Sequence, residues 1–268
     1  MSKEYLTNVK KTMCYIGKIN NNNEPIPIAS GFFLEIQGIY HLTTAKHVIY
    51  NERTNQVEDD HLFVFVNKKD GTLFAQPINS VRENLRVNWN FHENSQIDIA
   101  MMPFALNSKE WDIKVIAHNF FAGLSEVNEL SDVFFISYQP GIVFQNKIDP
   151  IIRKGIVSRI NDDKSFYVDG FAFPGNSGSP VFYKHSAISF TDSGIRMGGN
   201  PLNGKFLGIV SAYITYKEAA ISPQTGRPRI IFEENTGLSI VWSADLIKEI
   251  IESTSFVDQI SKLHKAKS

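Results

Sequence analysis

Pro174-Gly175-Asn176-Ser177-Gly178-Ser179-Pro180 is the stretch that most restricts how this chain can fold, and it runs straight into the apolar pair Val181-Phe182. Glycine, asparagine and proline at this density make a turn, and the residues after it read as a strand. A serine between two glycines, in a turn that feeds a strand, lets a backbone present a hydroxyl with amide N–H groups beside it. Gly-Asn-Ser-Gly is also ordinary turn chemistry, so on its own the stretch leaves Ser177 open as a plain turn residue. A second Ser-Gly, in Asp192-Ser193-Gly194, has no glycine before it and no Pro-apolar strand after it, and reads as a loop.

Two upstream segments narrow the choice. Leu42-Thr43-Thr44-Ala45-Lys46-His47-Val48 and Ile97-Asp98-Ile99-Ala100-Met101-Met102 place His, Asp and Ser in that order, 51 and 79 residues apart. Singly, His47 reads as a core or surface histidine and Asp98 as the end of a strand. Together the three are the groups that acyl transfer needs. A serine hydroxyl is a weak nucleophile at neutral pH and requires an imidazole to take its proton. The imidazole in turn needs a fixed tautomer, which a carboxylate on its other nitrogen supplies.

On these residues the chain resembles the trypsin/chymotrypsin-type serine protease family, and more closely its HtrA (Deg)-like branch. The resemblance covers about Gly31 to Ile251 and is carried further by Ser30-Gly31-Phe32-Phe33-Leu34, Ser137-Tyr138-Gln139-Pro140-Gly141, Lys154-Gly155-Ile156-Val157-Ser158, Asp169 through Pro180, and Gly208-Ile209-Val210-Ser211. It implies Ser177 as nucleophile, His47 as base and then acid, Asp98 as orienting carboxylate with Ser211 bonded to it, and the N–H groups of Gly175 and Ser177 as the oxyanion hole. It also implies a substrate pocket with Phe171-Ala172 as its base, Ser211-Ala212-Tyr213 as one wall and Gly237-Leu238-Ser239 as the other. None of these is acidic, so a substrate Arg or Lys would be buried unpaired. Tyr213 would narrow the entrance and Phe171 shorten the floor. The expected enzyme is a serine endopeptidase cutting after small or medium apolar residues. The alternative is a dormant protease, or a protease-fold binding or effector module, switched on by a partner.

The chain departs from that branch in three places. HtrA-like enzymes usually continue into peptide-binding PDZ modules, and fewer than 20 residues follow Ile251 here. Ser179 stands where a second glycine is usual. Asn176 replaces the aspartate that, in digestive relatives, pairs with a newly cut N-terminal ammonium, so activation by N-terminal cleavage is not expected.

Short apolar and alternating runs bounded by polar turns read as all-β. Candidate strands in the first half are Gly31–Ile36, Ile39–Thr44, Leu62–Val66, Leu73–Ile78 and Ile97–Phe104. Those in the second are Val133–Tyr138, Ile151–Ile160, Ser165–Val168, Ser179–Tyr183, Phe206–Ala212 and Leu238–Trp242. The expected architecture is two six-stranded antiparallel β-barrels, trypsin-like, with a C-terminal α-helix. Residues 1–105 would form the barrel carrying His and Asp, 106–131 the connection, 132–252 the barrel carrying Ser with the terminal helix, and 253–268 a tail. Ser243 is a candidate N-cap for a helix with Leu246, Ile247, Ile250 and Ile251 on one face. The tail reads as a surface helix or a frayed end. Lys184–Lys205 and Tyr216–Asn235 read as enlarged loops bordering the cleft.

Composition excludes other classes. A net charge of −1 gives no basic field for nucleic acid or anionic lipid, and no run is long enough for a membrane helix. The partners expected are a peptide or protein substrate and a regulatory protein. Cys14 is the only cysteine, so no intrachain disulfide forms, and the first residues carry no apolar leader, which reads as cytoplasmic. No metal or cofactor is expected: the seven histidines are scattered, His92-Glu93 lacks a second His four residues on, and Gly198-Gly199 lacks a phosphate-binding lysine.

Overall fold

The structure, a computed structural model, describes residues 2–139, 142, 147–186, 188–191, 194–197 and 203–267. Among the described residues there are five α-helices, α1 (Lys3–Lys10), α2 (Lys46–Ile49), α3 (Ile78–Leu85), α4 (Ala244–Glu252) and α5 (Thr254–Lys267), and two short 3-10 turns, His118–Phe120 and Leu124–Glu126. Apart from two short two-stranded pairs, the strands fall in two bodies.

The first body holds β1 (Met13–Ile19), β2 (Pro25–Ile36), β3 (Ile39–Thr44), β4 (Phe63–Asn67), β5 (Leu73–Pro77), β6 (Asn90–Phe91), β7 (Ala100–Pro103) and β8 (Ile116–Ala117). They form an eight-stranded sheet whose path runs β5-β4-β1-β2-β3-β7-β6, with β8 pairing β2 in parallel. Register starts from a tight turn. Gln37 and Gly38 have φ of 52° and 74°, the two positive values of a type I′ hairpin, and Ile36 pairs Ile39 across it. Phe32 therefore pairs Thr43 and Leu34 pairs His41. Because side chains alternate along a strand, a slip of one residue would turn every core side chain outward.

That alternation builds two cores from the same strands. Cys14, Ile16, Phe33, Leu42, Val64 and Met102 fill the inside of the first body. Their neighbours Met13, Tyr15, Phe32, Leu34 and Phe65 face the other way, into a core shared with the second body.

The second body is a closed barrel of β9 (Asp132–Ser137), β10 (Ile151–Ile160), β11 (Ser165–Asp169), β12 (Pro180–Tyr183), β13 (Phe206–Ile221) and β14 (Pro228–Ser243), in the order β9-β10-β11-β14-β13-β12. Val133, Phe135, Val157, Phe166, Val181 and Val241 fill it. Phe134, Phe182, Phe206 and Ile209 point outward into the shared core. There Phe206 lies 5.3 Å from Phe32 and 4.9 Å from Phe121, ring centre to ring centre. Such pairs add about 0.5–1.5 kcal/mol each beyond the burial of their area. The shared core fixes one body against the other, which matters because the site lies between them.

Three expectations are corrected. The first body is not a closed six-stranded barrel, since its end strands β5 and β6 do not pair. Helix α3 joins them and packs against β5 and β7, with Ile78 and Val81 buried. Tyr216–Asn235 is not a loop but the outer part of β13 and β14, paired from Thr215–Asn235 to Ile221–Pro228 as a projecting two-stranded arm. The tail is a packed helix: Phe256 and Ile260 of α5 are 1% and 2% exposed, with Phe256 stacked on His41. Ser243 sits at the N-cap position of α4, yet its hydroxyl makes no capping bond. The stripe Leu246, Ile247, Ile250 and Ile251 is buried. Within Lys184–Lys205, Ile188–Thr191 pairs Gly194–Met197, while Asp192 and Ser193 lie outside the described residues.

Asp59 closes the first body. It is fully buried, accepts from Arg82 Nε and Nη2 at 2.9 and 3.0 Å, and accepts from Trp89 Nε1 at 2.9 Å. It thereby ties α3 to the chain on both sides of the open edge. Asp59→Ala is expected to destabilise the fold by about 2–3 kcal/mol, since it leaves the buried Trp89 N–H without an acceptor and Arg82 with only the exposed Asp60 carboxylate at 3.7 Å. The check is the urea unfolding midpoint at constant slope; a loss below about 1 kcal/mol would mean that Asp59 does not hold this edge.

Candidate active site

His47 stands on α2, the single turn that follows β3. Thr44, the last residue of β3, donates its hydroxyl to the Ser30 carbonyl at 2.8 Å, and Lys46 reaches the Ser95 carbonyl at 3.0 Å. These bonds hold the turn between the β2–β3 hairpin and the segment before β7. Asp98 lies in that segment. Its Oδ1 accepts from the His47 backbone N–H at 2.8 Å and its Oδ2 lies 2.7 Å from His47 Nδ1. A carboxylate only accepts, so Nδ1 carries the proton, and neutral His47 keeps Nε2 as an acceptor. Ser177 Oγ is 3.0 Å from that nitrogen. The Ser211 hydroxyl donates to Asp98 Oδ2, and the Ser211 carbonyl lies 3.1 Å from Ser177 Oγ.

The turn that carries Ser177 is shaped by its two glycines. The Asn176 N–H bonds the Phe173 carbonyl at 2.9 Å, which closes a four-residue turn. Pro174 is second in it, and Gly175, third, has φ of 94°. That is the pattern of a type II turn, which needs a residue free of Cβ strain at its third position. Gly178 has φ of 85°, and a Cβ there would sit 2.0 Å from the Ser30 carbonyl oxygen. Only glycine lets the two bodies approach this closely. Among the described residues, the N–H groups of Gly175 and Ser177 meet no protein acceptor, so both remain free for an anionic oxygen beside Ser177.

Further groups stiffen the turn. Ser30 is fully buried; its N–H donates to the Ser177 carbonyl and its hydroxyl to the Gly175 carbonyl, both at 2.9 Å. Asn176, also fully buried, accepts from the Phe173 N–H at 2.9 Å and donates to the Tyr138 carbonyl. A neutral amide thus meets donor and acceptor here without an ion pair.

The cleft beside Ser177 has a volume of about 380 Å³ and is lined by His47, Ala172, Phe173, Pro174, Val210, Ser211, Ala212, Tyr213, Thr215 and Glu233. Of the expected pocket residues, Ala172, Ser211, Ala212 and Tyr213 line it. Phe171, Gly237 and Ser239 do not. Phe171 is 51% exposed, stacks 6.2 Å from Phe173 and covers the backbone of Gly237, where no side chain competes for the space. Ser239 is buried, with its hydroxyl donated to the Gly170 carbonyl. Phe173, Pro174, Val210, Thr215 and Glu233 were not foreseen as lining residues; Thr215 and Glu233 reach the cleft because the arm is paired strand, and Glu233 sits 3.3 Å from Lys217 across it. Among the described residues, no three His, Cys, Asp or Glu side chains converge as metal ligands.

Electrostatics favour a charged imidazole. Burial pushes the His47 pKa down, while the hydrogen bond and charge of Asp98, with the charge of Glu52, push it up by more, so it ends above its ordinary value. The ring therefore holds a proton to higher pH than a free histidine and works as a base only above that point. In an NMR titration of the Ser177→Ala protein, the His47 ring is expected to titrate above ~6.5. Asp98→Asn should lower that midpoint. A midpoint at or below ~6.5 in the presence of Asp98 would contradict this balance.

Comparison with known proteins agrees with the geometry. The profile of the trypsin-like peptidase domain matches residues 29–187. The crystal structure of the serine endoprotease from Yersinia pestis superposes with a TM-score of 0.54, at 14% identity, over 96% of this chain and 68% of that one, which is a likeness of fold. No curated protein matches significantly in sequence. The profile match spans more than half of the chain, and on that ground this protein belongs to the trypsin-like peptidase family.

Proposed function

We propose that this chain is a serine endopeptidase that works through an acyl-enzyme, without a cofactor. The observation that carries the reading is the continuous line Asp98–His47–Ser177, with contacts of 2.7 and 3.0 Å, ending beside two unoccupied backbone N–H groups. Ser177 Oγ attacks the carbonyl of the bond to be cut while its proton passes to His47 Nε2. The resulting oxyanion is held by the N–H groups of Gly175 and Ser177, each such donor being worth about 3–4 kcal/mol in the transition state. The imidazolium, stabilised by Asp98, then gives its proton to the departing amine. In the second half a water molecule loses its proton to His47, attacks the acyl carbon and releases Ser177. The type II turn at Gly175 supports this over the dormant or binding-module reading, since that turn leaves the Gly175 N–H free.

The cleft walls favour a small or medium apolar residue before the cut bond. Ala172, Val210 and Ala212 offer it apolar surface, Tyr213 limits its size, and the one acid present, Glu233, is engaged by Lys217. A substrate lysine or arginine would have to displace that pairing.

The test is a peptide library varied at the residue before the cut bond. Cleavage after Ala, Val, Ile, Leu or Met is expected. Ser177→Ala and His47→Ala should each lose it with an unchanged circular dichroism spectrum, leaving at most ~10³–10⁴-fold acceleration over water. Full activity in Ser177→Ala would reject the mechanism. Preference for Arg or Lys would reject the pocket and assign Glu233 as its selector.

A further inference from the structure

The arm continues the wall of the cleft. Among the described residues, no strand pairs with the outer edge of β13 from Ser211 to Ile221. The Ile214 carbonyl accepts from Thr236 of β14, so Ile214 faces its partner strand. The extra residues at the Tyr213/Thr215 irregularity belong to β14, which leaves β13 extended. Since N–H and C=O groups alternate sides along an antiparallel strand, those of Tyr213, Thr215, Lys217 and Ala219 lie on the open edge.

This edge starts at Ser177. The Ser211 carbonyl touches the Ser177 hydroxyl, and Tyr213 and Thr215 line the cleft. No proline or barrel strand blunts it, although open edges are normally protected from adventitious pairing. The arm exposes large apolar side chains among charged ones: Tyr216, Ile230, Ile231 and Phe232 are 54–66% exposed, beside Lys217, Glu218, Arg227 and Arg229.

We propose that the arm is an extended docking edge for the substrate itself. The inference rests on the peptidase reading of the site. Ser211–Tyr213 flanks the residue before the cut bond, so a polypeptide continuing past Tyr213 is the N-terminal side of the substrate. It adds to Thr215–Ala219 as a third strand, giving backbone hydrogen bonds at every second residue. The span from Ser211 to Ala219, at about 3.3 Å per residue, takes roughly nine substrate residues. The enzyme would thus select unfolded or extended segments by length, over short peptides of the same local sequence.

The test compares peptides with roughly six and roughly eleven residues before the preferred cut bond, with their kcat/KM given as a ratio. In the wild-type protein the longer peptide should be better by roughly tenfold. Replacing residues 218–232 by Asn-Gly joins the paired Lys217 and Glu233 through a two-residue turn, and should bring the ratio close to one. Lys217→Pro, which removes one outward N–H while sparing the inner ladder, should also lower it. Backbone N-methylation of the longer peptide should cost affinity at alternate positions only. An equal ratio in wild-type and shortened proteins would overturn the proposal. So would an arm-dependent dimer in sedimentation with no length effect, which would make the edge a self-association surface. If neither peptide is cut, the peptidase reading fails, and binding to Ser177→Ala decides the arm separately. Roughly tenfold weaker binding of the longer peptide after shortening supports docking, and equal binding overturns it.

Discussion

Ser30 is the point on which the site depends. Its N–H and hydroxyl hold the carbonyls of Ser177 and Gly175, its carbonyl accepts from Thr44, and its hydroxyl accepts from the Tyr138 N–H at 3.0 Å. One buried residue, through its backbone and its hydroxyl, therefore joins β2, the end of β3 that leads to His47, the end of β9 and the turn that carries Ser177. The distance between His47 and Ser177 is set across the boundary of the two bodies, and only a contact this direct can hold it to a fraction of an ångström. Gly178 is the other half of that contact, since any side chain there would occupy the space of the Ser30 carbonyl. Small buried polar residues make such a joint well because all their groups can be satisfied; a half-satisfied one would weaken the boundary.

The charge arrangement follows from the same geometry. Asp98 receives a backbone N–H, the imidazole and the Ser211 hydroxyl, so its carboxylate is held by three donors from three segments. In the proposed mechanism the developing imidazolium would meet a fixed counter-charge, with little reorganisation left to make when the proton moves. Asn176 does for the oxyanion turn what a charged pair does elsewhere, with a neutral amide anchored at both ends. The turn is therefore held by groups internal to this chain.

The residues that carry local turn chemistry could be read from the sequence, because their conformations are set within a few positions. Gly175 and Gly178 announce positive φ, and the apolar runs beside His47 and Asp98 announce strands that bring them inward. Ser211 was placed through the resemblance, and its hydroxyl does reach Asp98. What stayed hidden depends on distant partners. The Ile78, Val81 and Leu85 spacing of α3 is short and abuts a strand, so the helix is visible only once Asp59 is seen to hold Arg82. The arm looked like a loop because its exposed residues carry no buried face, and pairing across it rather than burial makes it strand. Phe171 could be aligned but not aimed: its ring covers Gly237 instead of entering the cleft. Glu233 reaches the cleft through the register of that same arm, which no local pattern reveals.

The central claim is that Ser177 is an activated nucleophile in the resting protein. Labelling of the purified full chain by a fluorophosphonate, with the site mapped by mass spectrometry, tests it most directly, because the reaction needs the nucleophile, the base and the oxyanion turn but no knowledge of substrate. The account predicts stoichiometric labelling at Ser177, lost in His47→Ala and independent of any added protein. Absence of labelling in folded protein, or labelling at another serine, would contradict it.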